Sequence, residues 1–85
     1  MSIENELYAY TSLSCPRLLN LIHELTQCKD IIMKALVLVH DKDTISEASE
    51  AVKEILILRE KLRILVEKAK KKREDLEEKL HGGSK

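Results

Sequence analysis

The chain has 85 residues, and its fifteen basic and fifteen acidic side chains cancel. A chain this short makes one domain at most and buries only about 60–65% of the surface it exposes when unfolded, so a lone core is marginal. The balance excludes the broad positive field that drives nucleic-acid binding and any net attraction to an anionic membrane. The apolar residues are nearly all Leu, Ile, Val and Ala, with no Phe, no Trp and only Tyr8 and Tyr10 as aromatics, a composition that predicts an all-α fold.

At the N-terminus Ser2 reads as a helix cap, with Ile3, Leu7 and Tyr10 on one face at helical spacing, so residues 3–12 form a short helix or a kinked extension. Pro16 suits a first helical turn, where its missing N–H has no intrahelical acceptor, and the residue before a proline disfavours α conformation. A long helix over about 15–40 is expected. Its seam is Leu18, Leu21, Leu25, Cys28, Ile32, Ala35 and Val39, stepping by three and four.

His40 to Asp43 reads as a polar connection, and Thr44-Ile45-Ser46-Glu47 as a capping box opening a second helix over about 44–80. The seam of that helix is Ala48, Val52, Ile55, Arg59, Leu62, Val66, Ala69, Arg73, Leu76 and Leu80, a length of about 55 Å. Gly82 ends it. Residues 82–85 read as a flexible tail of the kind an expression scar leaves, and 1–85 as one helical domain.

A connection this short makes the helices an antiparallel hairpin, placing Ile32 level with Val52, Leu25 with Arg59 and Leu18 with Val66. The second helix then overhangs, and residues 3–12 can cover the overhang near Leu76 and Leu80. More apolar side chains remain than one seam can hide. Ile22, Ile31, Met33, Leu36, Val37 and Leu38 on the first helix and Leu56, Ile57, Leu58, Ile64 and Leu65 on the second form the candidate protein interface. Either the N-terminal segment folds back over them as a three-helix bundle, or another molecule does: a second copy in a four-helix dimer, or a different helical subunit.

The one charge run, Lys68, Lys70, Lys71, Lys72 and Arg73, fits a nuclear-import signal or a phosphate contact. Glu74, Asp75, Glu77 and Glu78 can pair with it, and no aromatic residue interleaves, so a solvated helix face is the favoured reading. His23, Cys28, Cys15 and His40 match no close-paired metal spacing, and Cys28 reads as a small seam residue. Cys15 and Cys28 lie ~20 Å apart along one helix, too far for a disulfide. Asp41-Lys42-Asp43 begins like a calcium loop but lacks its Gly and has Val52 where the bidentate carboxylate belongs. Small helical chorismate mutases surround their dicarboxylate with buried Arg, Lys and Glu; only Arg59 and Arg73 on the seam suggest that type, and seam arginines otherwise fix register or snorkel. No catalytic, cofactor-binding or metal residue is assigned, no cofactor is implied, and no enzyme activity is expected.

As a Phe-free and Trp-free hairpin of this size, the chain resembles the small co-chaperones of bacterial type III secretion needle subunits, and equally the short subunits of eukaryotic coiled-coil assemblies. The likeness spans the whole chain and rests on architecture, with no residue motif in common. It implies a chaperone or scaffold role toward another helical protein. The sequence therefore predicts a non-enzymatic helical adaptor, scaffold subunit or small chaperone, with a nucleic-acid-associated role for the basic run as the alternative. Its apolar runs are too short to span a bilayer, and its setting is expected to be the reducing cytoplasm or, through the basic run, the nucleus.

Overall fold

The computed structural model describes residues 2–82, which form three α-helices and no strand: α1 (Ile3–Leu13), α2 (Pro16–Leu36) and α3 (Lys42–Leu80). Of the expected tail only Gly82 lies within the described residues. Ser2 caps α1 as expected, its Oγ accepting from the Asn5 N–H at 3.1 Å, and Glu4 and Glu6 occupy the first turn, where the helix dipole favours negative charge. α1 is a helix of its own. It ends where the Ser14 hydroxyl donates to the Tyr10 carbonyl at 2.8 Å, and Pro16 then opens α2.

The turn sits earlier than the sequence suggests. α2 stops at Leu36 rather than near His40, closed by 3₁₀-type bonds from Leu38 N–H to the Ala35 carbonyl (3.0 Å) and from Val39 N–H to the Leu36 carbonyl (3.3 Å). Val37 and Val39 are β-branched and add little helix propensity there. α3 begins at Lys42 because Asp41 is the N-cap: its Oδ2 accepts from the Thr44 N–H at 3.0 Å and from the Thr44 hydroxyl at 2.6 Å. The expected Thr44–Glu47 capping box is thus replaced by a stronger cap three residues upstream, and Asp43 lies in a helical turn rather than in a calcium-type loop. At the other end Gly82, at φ 80°, terminates α3 in the left-handed region.

α1 and α2 both pack along α3, which is the spine of a rod whose Cα atoms span 64 × 19 × 16 Å. The hairpin register is the expected one. Arg59 Nη1 donates to Thr26 Oγ1 at 2.9 Å, fixing the level at which Leu25 meets Arg59. Arg73 Nη1 reaches Ser14 Oγ at 3.4 Å, which sets α1 against the overhang, where Leu7 and Tyr10 are half-buried and Leu76 is buried.

The α3 seam follows the expectation from Ala48 to Leu76, with Val66, Ala69 and Leu76 buried; Leu80, the last residue of α3, is 42% exposed. The α2 seam is rotated. Leu18, Leu25, Ile32 and Val39 face inward as expected, but Ile22, Lys29 and Leu36 stand between them in place of Leu21, Cys28 and Ala35. Ile22 and Leu36 fill more of the gap than Cys28 and Ala35 would, and Lys29 lies along the seam on its aliphatic stem.

Candidate interaction surface

Only Val66, Ala69 and Leu76 are buried hydrophobic residues among those described, and no side chain is completely enclosed. The rest of the aliphatic surface is open to varying degrees. Val37 and Leu38, placed in the turn by the early end of α2, are 78% and 80% exposed. Ile31, Ile57, Ile64 and Met33 are exposed by half or more, while Leu58, Leu65 and Leu56 lie at 47%, 39% and 38%. Nine of the eleven expected interface residues are therefore on the surface. Ile22 and Leu36 are the corrections: both are half-buried between α2 and α3 and hold the hairpin together.

What the rotation of α2 buries, it also releases. Leu21, Cys28 and Ala35 each precede a seam residue of α2, just as Ala51, Leu58 and Leu65 each precede one of α3. In an antiparallel pair these positions flank the seam on the same side. The Thr26–Arg59 level puts Ala35 beside Ala51, Cys28 beside Leu58 and Leu21 beside Leu65. One face of the hairpin is thus apolar for three consecutive layers, and beyond it α3 continues as Lys72 and Lys79. Reading Leu21 and Cys28 as seam residues concealed this face, although their strict seven-residue spacing was its signal.

The basic run divides. Lys68, Lys70, Lys71 and Lys72 are exposed, whereas Arg73 turns inward to Ser14 and its Nε is buried without a partner, so it does not belong to the solvent patch. Among the described residues the salt bridges are Lys29–Asp30 at 3.2 Å and Arg63–Glu60 at 2.9 Å, and the expected pairing of Lys70, Lys71 and Arg73 with the following acidic residues is not formed. Cys15 is half-buried and Cys28 exposed, both as free thiols. His23 approaches Gln27 at 3.4 Å, and among the described residues no three His, Cys, Asp or Glu side chains converge. The Asp41 carboxyl is held below its ordinary value, first by the Thr44 hydroxyl and then by the Thr44 N–H.

No helix among the described residues is long and apolar enough to cross a membrane. No family model, no curated protein and no solved structure matches the chain.

Proposed function

We propose that this chain is a non-enzymatic helical interaction module, an adaptor, scaffold subunit or small chaperone that acts by packing its exposed aliphatic surface against other helices. The observation that supports this reading is the imbalance of burial: among the described residues three hydrophobic side chains are buried, whereas Ile31, Met33, Val37, Leu38, Ile57 and Ile64 are half exposed or more. Covering an aliphatic side chain is worth up to ~1.5–3 kcal/mol, so a few of them rival the whole stability of a domain this small, less the entropy lost on association. Free thiols at Cys15 and Cys28 suit a reducing, intracellular setting.

The test is association of the purified chain, with itself and with candidate helical proteins, compared for wild type, Ile31→Asp and Ile57→Asp at equal far-UV helicity. Loss of association in the variants supports the reading. A helical wild-type chain that associates with nothing, or associates equally well with both substitutions in place, overturns it.

A further inference from the structure

Resting on that reading, we infer that the occupant of the apolar hairpin face is a second copy of this chain, packed two-fold with its turn pointing the opposite way. Three layers make the face: Ala35 with Ala51 near the turn, Cys28 with Leu58 in the middle, Leu21 with Leu65 farthest away. Side-chain size therefore grows along it from small to large. A two-fold axis perpendicular to the helices and through the middle layer lays the small layer of one copy on the large layer of the other, which is the alternation a close-packed core requires. Dyads parallel to the helices, with both turns at one end, put Ala on Ala and Leu on Leu, leaving a gap at one layer and a clash at another.

Charge selects the same arrangement. Along the outer edge of this face α3 carries Glu47, Glu54, Lys61 and Lys68 at seven-residue intervals, acidic toward the turn and basic away from it. Reversal about the Leu58 level brings Glu54 within one residue of Lys61 of the second copy, and Glu47 within one residue of its Lys68, each pair occurring twice by symmetry. With both turns at one end, α3 faces α2 of the second copy: Lys61 then meets Glu24, but Lys68 meets Arg17, and Glu47 and Glu54 face Leu38 and Ile31 with no basic partner. Complementary edge charges of this kind set partner and orientation more than affinity. The α2 half of the hairpin offers a footprint about 31 Å long and 20 Å wide, roughly 600 Å² from each copy, at the lower edge of stable interfaces. A footprint of that size suits a reversible dimer better than an obligate one.

Sedimentation equilibrium of the full chain under reducing conditions is the test, with helicity checked for each variant. The wild type is expected to dimerise, Lys61→Glu to weaken the dimer about tenfold by placing like charges together twice, and Glu54→Lys combined with Lys61→Glu to restore it. Separately, copper–phenanthroline oxidation of the Cys15→Ser chain is expected to trap a disulfide-linked dimer through Cys28, which lies at the axis, and Leu58→Asp to abolish the trapping. A dimer that the double charge exchange fails to restore overturns this geometry. A monomeric chain whose exposed face still binds another helical protein overturns the second-copy assignment and leaves the interaction module standing; a monomeric chain that binds nothing overturns both.

Discussion

Arg59 Nη1 donates to Thr26 Oγ1 at 2.9 Å, a part-buried bond that joins the two long helices near the middle of the hairpin. It locks the register because a slip of one heptad on either helix would leave the guanidinium against aliphatic side chains. A charged donor to a neutral acceptor in such a place contributes about 1–2 kcal/mol. Thr26→Val, which keeps the shape and removes the acceptor, is expected to cost about that much in urea unfolding at fixed chain concentration. In combination with Arg59→Met the loss should be clearly less than the sum of the two single losses. Additive losses would show that the bond carries no register information.

Lys29 is the polar intruder in the α2 seam. Its side chain is only 22% exposed, and its ion pair is with Asp30, its neighbour in sequence, at 3.2 Å. The buried part is its aliphatic stem, which fills the seam less well than a branched apolar side chain, and hydrophobic replacement of a partly buried charged residue is often stabilising. Lys29→Leu is expected to stabilise the chain by about 1 kcal/mol, a rise in Tm of about 4–8 °C for a domain of this size. A lower Tm would mean that Lys29 serves a contact other than the hairpin.

Asp41 gives α3 its start and its pH response. Two hydrogen bonds from Thr44 favour the carboxylate, so the folded-state pKa lies below the unfolded one. Its contribution is therefore fully present above the unfolded value of about 4 and disappears as pH falls through the lower folded value. Asp41→Ala should melt earlier than wild type at pH 7, with the difference narrowing as pH falls below the unfolded carboxylate value of about 4. Asp41→Asn keeps an acceptor without a titrating charge, and its melting difference from Asp41→Ala should be insensitive to pH across that range.

The all-α class, the hairpin register and nearly the whole α3 seam were legible because they depend on periodicity sustained over many turns, which local competition cannot erase. The loop was not. Asp41 and Thr44 both have cap chemistry, and only the chain reversal decides between them, by ending α2 before Val37. The α2 stripe is so broad that Leu18, Leu25 and Ile32 fit two seams equally, one through Cys28 and one through Lys29. Periodicity alone prefers the all-apolar choice, whereas filling the volume between the helices favours Ile22 and Leu36 and accepts Lys29. That same choice exposes Leu21 and Cys28, so the apolar face became visible only once the rotation of α2 was known.

Leu76 and Ile64 sit twelve residues apart on the same helix and separate the two roles of apolar surface. Leu76 is 8% exposed under α1, beside the level where Arg73 meets Ser14, whereas Ile64 is half exposed and faces away from the hairpin. Leu76→Ala removes buried methyl groups from a core of very few residues and should cost about 2–3 kcal/mol, a large share of a marginal total. Because α1 is held chiefly by that layer, limited proteolysis of the variant should cleave near Leu13 and Ser14 before it attacks α2 or α3. Ile64→Ser should change the stability of the dilute chain by no more than about 0.5 kcal/mol, since that side chain is already half open to solvent. If Ile64→Ser instead destabilises as much as Leu76→Ala, the outer face of α3 is already covered within one chain, and its aliphatic residues are core rather than interface.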